Sequence, residues 1–359
     1  MIMLHFSSKA LYAVTHLIAT RMGSNDDEAT EVADHLTRAN LAGHDSHGVG
    51  MLPTYVRLLT DGLLVPNQTL EVVLDSGALL VLDAKRGYGQ RMGGNAVRAG
   101  IAKAREMGAC VLALRNSAHI GRIGTYAELC AAHGMAFISF VNVSDHHYSQ
   151  APYGSAEALL GTNPFTAAVP GADGTPAAML DMATTPIAGG KVRVAYNKGI
   201  DVAEGSLIDK DGVPTNDPTG YIRDHVGALI SFGKHKGSGL AIMAEIMTTA
   251  IAGGKRADEP ALGGTMNSML ATIIDVSRLG GVEHVETQVA ATRSHITSAR
   301  RAPGFEEILM PGDPERRYTT ERREKGIPVD ETTWRDIRVA AGKVGITESE
   351  IDAVVGKNS

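Results

Sequence analysis

Apolar residues recur at helical spacing through residues 7–22 (Leu11, Val14, Leu17, Ile18), with Ser7 or Ser8 placed to cap the start and Gly23 to end it. A second helix opens at Asp26 or Asp27 and runs to about Leu41 through Ala29, Val32, Ala33, Leu36 and Ala39. The chain therefore begins as a helical hairpin. A short helix over 54–61, closed by Gly62, follows a loop dense in histidine and glycine. The period then changes. Residues 70–83 read as two strands around a turn at Asp75-Ser76-Gly77, and 92–107 as a small-residue helix able to pack closely on a sheet. Residues 109–114 are too short an apolar run for a helix and read as a strand covered on both faces. A helix over 125–133 stops at Gly134, and strands follow over 135–143, 165–169, about 177–185 and 269–276. Helical pieces begin at Ala188 and at Gly239, the latter running through Ala250, and the remainder is helical and charged.

This alternation predicts an α/β (α+β) protein, and 359 residues are too many for one simple core. At 43% hydrophobic and 21% charged, the composition excludes global disorder. The net charge of −6, with no Lys/Arg stripe, argues against nucleic acid as a partner. Cys110 and Cys130 form neither a metal spacing nor a disulfide framework, which suits the cytoplasm. No export signal is expected, and Glu245 interrupts the most apolar helix, so no membrane span is expected either.

Three kinds of chemistry compete. Neither Gly-x-Gly-x-x-Gly nor the Walker A pattern occurs; Gly237-Ser238-Gly239 lacks the third glycine, so a dinucleotide would need some other fold. Lys234 and Lys236 nevertheless lie at a helix N-terminus, where anions bind. His44, Asp45, His47, His146 and His147 could hold a metal for a hydrolase or lyase, but their spacing is not that of a zinc site, and none is expected. Metal-free acid/base chemistry suits His47, His119 and Asp181, each at the end of an expected helix or strand. Each of the three could equally be a loop residue capping a helix. A non-catalytic small-molecule binder is a further alternative.

The string Gly43-His44-Asp45-Ser46-His47-Gly48-Val49-Gly50-Met51-Leu52-Pro53, with Tyr55, resembles the signature of the type 2 malate/L-lactate dehydrogenase family. Similar segments follow in the family's order at 116–124, 151–154, 160–164, 181–191, 212–218, 234–240 and 311–312, and the wording is closest to the hydroxycarboxylate dehydrogenase branch. The resemblance implies an NAD(P)-dependent enzyme interconverting a 2-hydroxy acid and a 2-oxo acid, or else a cyclic imine acid reductase in the same fold. It implies a non-Rossmann, mostly antiparallel cofactor domain over 71–285, resembling L-sulfolactate dehydrogenase, and a helical part from 1–70 and 286–359. A homodimer is expected, with NAD as cofactor and NADP as the alternative. By the same resemblance His47, His119 and Asp181 are catalytic, and His119, Asp181, Met182, Ala183, Lys236, Pro311, Gly312 and Asp313 meet the cofactor. Ser46, Met51, Tyr55, Arg57 and Arg122 meet the substrate. Many family members carry, where this chain has Met51, an arginine that pairs with the substrate carboxylate. Another guanidinium must then take that task, Arg122 first and Arg57 second, with Met51 as apolar lining for a bulkier substrate.

Overall fold

The computed structural model describes residues 3–358. Its N-terminal hairpin pairs α1 (Ser8–Arg21) with α2 (Asp26–Leu41). Ser7 caps α1 by accepting from the Ala10 N–H. Asn25 rather than Asp26 or Asp27 caps α2, accepting from the Glu28 N–H. The aspartates fall inside the first turn, where their charge complements the helix dipole. The third helix, α3 (Leu52–Thr60), starts earlier than expected, because Pro53 fits the first turn, where no N–H is needed. The apolar faces of these helices pack on α10 (Glu331–Lys343) and α11 (Glu348–Asn358), and Leu11, Ile18, Leu36, Leu52, Trp334 and Ile337 belong to this first core. Met3–Phe6 and Ile327–Asp330 pair as a two-stranded ribbon in the same cluster.

The second core lies under a seven-stranded sheet. Its strands are β1 (Glu71–Ser76), β2 (Leu79–Asp83), β3 (Ala109–Ala118), β4 (Met135–Ser144), β5 (Phe165–Pro170), β6 (Pro176–Met182) and β7 (Met266–Asp275), in the spatial order β1-β2-β3-β7-β4-β5-β6. Every pairing is antiparallel except β2 with β3, which α4 (Gly89–Met107) joins as a crossover. Helices α4 and α5 (Gly124–Ala131) cover one face over Leu112, Leu114, Phe137 and Ile273. On the other face, α7 (His235–Ile246) ends in a wider turn, Met247–Ile251, that packs on Ala113 and Leu270.

That second face is not covered throughout. Leu79, Val111, Thr272, Ile138, Ala167 and Leu180 stand in register across it, and Val111 remains 36% exposed, Ile138 40%. The expectation that β3 is buried on both faces is thus corrected, because β3 alternates on one side between covered Ala113 and open Val111. Two further helices flank the sheet and the helical cluster. Helix α8 (Val282–Thr297) lies beside β5 and β6, and α9 (Asp313–Lys325) beside α2. Among the described residues, no helix is long and apolar enough to cross a membrane.

Candidate active site

His119 stands just beyond the C-terminal end of β3, in a connection fastened to the interior. The Ile120 N–H donates to Asn267 Oδ1 on β7 at 2.9 Å. Gly121 takes φ +71°, and a Cβ there would lie 2.5 Å from His35 Nε2, so both conformation and space require glycine. A Cβ on Gly89 would come within 2.3 Å of the Ala118 and His119 carbonyl oxygens. The first turn of α4 therefore lies directly on the His119 backbone, which explains why this helix starts three residues earlier than its small-residue pattern suggests. Gln90, buried on that turn, donates through Nε2 to the Tyr55 hydroxyl at 2.6 Å, and the hydroxyl meets His119 Nδ1 at 2.8 Å.

His47 comes from a different kind of support. Residues 43–51 fold into two short 3-10 turns, Asp45–His47 and Val49–Met51. Buried Asn40, in the last turn of α2, accepts from the Val49 N–H at 2.8 Å and donates to Asp45 Oδ1 at 2.7 Å. A side chain at Gly48 would collide with that amide. Helix α9 holds the outside of the loop. Arg322 forks onto Asp45 at 2.6 and 3.0 Å, and Glu315 meets His44 at 3.3 Å. Ser46 Oγ lies 3.0 Å from His47 Nδ1. The His47 and His119 rings stack with centroids 5.5 Å apart. Burial pushes His47 down to about 4, aided by His44 and opposed by Asp181, and pushes His119 down to about 3, aided by His47. Both imidazoles are neutral at pH 7.

Asp181, the last residue but one of β6, lies beside this pair. It accepts from the Gly124 N–H at 2.8 Å and from Thr166 Oγ1 at 2.9 Å, and neither histidine bonds to it, so its influence on His47 is through charge. Arg122 is almost wholly enclosed, its Nη1 on Glu128 at 2.7 Å and its Nε 3.7 Å from Asp181. Its Nε and Nη2 have no hydrogen-bond partner. Arg57 lies outside, on the exposed side of α3, and gives Nη1 to the Gly263 carbonyl at 3.0 Å and to Asp61 at 3.2 Å. Met51 is partly buried against the helical core. Tyr55 spends its hydroxyl on Gln90 and His119.

The residues expected at the cofactor fall along the β6 edge. Met182 ends that strand, Ala183 follows it, and the Thr184 carbonyl accepts from the Phe232 N–H at 3.0 Å, which joins them to the turn before α7. Lys234 and Lys236, exposed there, have no ion-pair partner among the described residues. On the other side, the Met179 N–H donates to the Pro311 carbonyl at 3.3 Å, and Gly312 takes φ +94°. Asp313 gives its oxygens to Arg293 at 3.0 Å each and to the Met310 N–H at 2.8 Å. Among the described residues, no three His, Cys, Asp or Glu side chains gather as metal ligands, and His44 and Asp45 are taken up by Glu315 and Arg322.

Asn40, Gln90, Glu128 and Arg322 complete this site without having drawn attention in the sequence. Asn40 and Gln90 sit in helices with other polar residues close by, Arg38 and Arg91 among them, and nothing marks them out, and Arg322 belongs to a charged run of the kind that usually faces solvent. The one available signal was Gly89 directly before Gln90, a glycine at a helix start where backbones meet.

The chain and its fold have known counterparts. The family described as malate/L-lactate dehydrogenase matches residues 6–338. Hydroxycarboxylate dehydrogenase B of Escherichia coli (strain K12) is 40% identical, over 97% of this chain and 96% of its own length. L-sulfolactate dehydrogenase of Methanocaldococcus jannaschii is 33% identical over 92% of this chain and 94% of its own. The solved sulfolactate dehydrogenase from that organism superimposes with a TM-score of 0.83 at 31% identity, covering 98% of this chain and 99% of the other.

Proposed function

Because the chain belongs to the malate/L-lactate dehydrogenase family, and is thus an oxidoreductase of the hydroxy acid dehydrogenase kind, we propose that it reduces a 2-oxo acid to a 2-hydroxy acid and runs the reverse reaction. The observation that carries this reading is the stacked pair of neutral histidines, each hydrogen-bonded at Nδ1, beside a carboxylate near the end of β6. A nicotinamide cofactor, when bound, supplies the hydride. The donor set fits such a ligand: two unpaired ammonium groups at the start of α7 suit a diphosphate, and Met182, Ala183, Pro311 and Gly312 offer backbone along the same edge. Asp313 acts there by fixing Arg293. The mainly antiparallel sheet and the missing glycine fingerprint support a cofactor site built without a Rossmann arrangement.

In this reading His119 gives a proton to the oxygen that develops negative charge, and His47 closes the other side of the substrate. Asp181 keeps the α5 N-terminus and Arg122 in place. Arg122 is the carboxylate partner in preference to Arg57, because its Nη2 has neither a hydrogen-bond nor an ion-pair partner while Arg57 is tied to the outer surface. Ser46 orients His47, and Met51 adds apolar lining. NAD is the proposed cofactor, as the family resemblance implies, with NADP the alternative, and two free buried thiols suit a cytoplasmic setting. A second copy of the chain is the proposed cover for the apolar row on the open sheet face. Val111→Glu should then turn a dimer into a monomer in analytical ultracentrifugation.

The test is oxidation of NADH and NADPH against oxaloacetate, pyruvate, phenylpyruvate, hydroxyphenylpyruvate and a cyclic imine acid. Turnover with an oxo acid supports the reading, and aromatic acids would assign Met51 to the pocket wall. Turnover with the imine alone would replace it by imine reduction. Silence throughout, with no cofactor binding by fluorescence, would overturn it.

A further inference from the structure

We infer that Gln90 is a positioning residue that keeps the proton of neutral His119 on Nε2, acting through Tyr55. The inference rests on the reading of His119 as proton donor, and goes beyond it by saying what makes the imidazole a donor at the correct nitrogen. A phenol hydroxyl carries one proton and accepts at its lone pairs. The Gln90 amide N–H, 2.6 Å away, donates to the Tyr55 oxygen. Among the described residues that oxygen has one other partner, His119 Nδ1 at 2.8 Å. The Tyr55 proton therefore goes to Nδ1, and the ring's own proton is left on Nε2. Burial pushes the Tyr55 hydroxyl well above its ordinary value, so in the free enzyme the phenol holds its proton and is the donor to Nδ1.

Two observations assign this task to Gln90 rather than to packing. Its position is fixed by backbone, since Gly89 lies against the His119 carbonyl and sets the next residue over Tyr55. Its own Oε1 is buried with no hydrogen-bond partner, which costs stability that a methionine of similar shape would avoid. The contact made by Gln90 Nε2 is the one on Tyr55.

The consequence for reduction balances. Hydride brings the electron pair to C2, the carbonyl oxygen takes the Nε2 proton, and the phenol proton passes to Nδ1. The Gln90 N–H then faces a phenolate, which takes its proton back from Nδ1 as water returns one to Nε2. Without Gln90, the Tyr55 oxygen is equally able to accept from an Nδ1–H, which leaves Nε2 bare and unable to donate.

Long-range proton–nitrogen NMR of protein labelled with 15N-histidine, in the free enzyme, reads the tautomer directly, with His119→Gln identifying the signal. Wild type should show His119 protonated on Nε2 alone, and Gln90→Met should show both tautomers. Kinetics should show kcat lower by roughly 10–100-fold in Gln90→Met with KM within about threefold, as loss of one proton-transfer element implies. Tyr55→Phe, which removes a single oxygen and keeps the ring packing, should lose about as much, and the double variant no more than Tyr55→Phe alone. An Nδ1–H tautomer in wild type, unchanged kcat in Gln90→Met, or losses that multiply in the double variant would overturn the inference. The NMR result needs no turnover, so a failure of the proposed reaction and a failure of this inference are told apart.

Discussion

The two histidines meet at one place but are held by opposite means. The connection carrying His119 is fastened from within: Asn267 takes the Ile120 N–H, Gly121 presses on His35, and Arg122 is closed over by Glu128 and Asp181. The loop carrying His47 has one buried support, Asn40, and otherwise leans on ion pairs from α9. An interior support of hydrogen bonds and close backbone packing fixes a side chain to a fraction of an ångström. Ion pairs that stay partly open to solvent contribute little and weaken with salt. The difference teaches that His119 is preset for its chemistry while His47 can adjust to what lies between the rings.

The comparison breaks most severely at Gly121. Gly121→Ala places a Cβ against His35 and in a left-handed backbone region, so stability should fall by about 2–4 kcal/mol in urea unfolding, with most activity lost. An unchanged midpoint would show that the connection is not tight.

Protonation comes next. Both imidazoles have folded values below the unfolded value of about 6.5. As pH falls below 6.5 the unfolded chain takes up protons that the native chain refuses, so stability is lost from there down to about pH 4 for His47 and about pH 3 for His119. At pH 5 the loss should be about 1–2 kcal/mol per histidine relative to pH 7.5, and smaller in His47→Gln and His119→Gln. A flat profile would contradict neutral, enclosed rings.

The smallest effect separates the two loops. Arg322→Ala removes the fork on Asp45 and should lower kcat/KM about three- to tenfold, with KM carrying most of the change. High salt should produce a similar, milder effect in wild type. Equal sensitivity of the His119 environment to salt would erase the contrast.

The sequence pattern exposed the helices, most strands, and the loops bearing His47 and His119, because period and glycine punctuation are local. It also carried the family, through the wording of those loops. What it could not show depended on contacts distant in sequence. Gln90 reaches Tyr55 only because α4 lands on the β3 end, and Arg322 finds Asp45 across 277 positions. Asn25 took the cap of α2 from two aspartates for a local reason, one residue of register. The open face at Val111 was misread because a short apolar run looks the same whether one face or both are covered.

The measurement that tests the central claim most directly is kcat for reduction of the best 2-oxo acid in His119→Gln and His47→Gln, side by side, with cofactor affinity measured in each. The preset histidine should be the proton donor, so His119→Gln should lose about 100- to 10,000-fold in kcat with cofactor binding kept, and His47→Gln clearly less. A His119→Gln enzyme that keeps its rate while His47→Gln loses it would contradict the account.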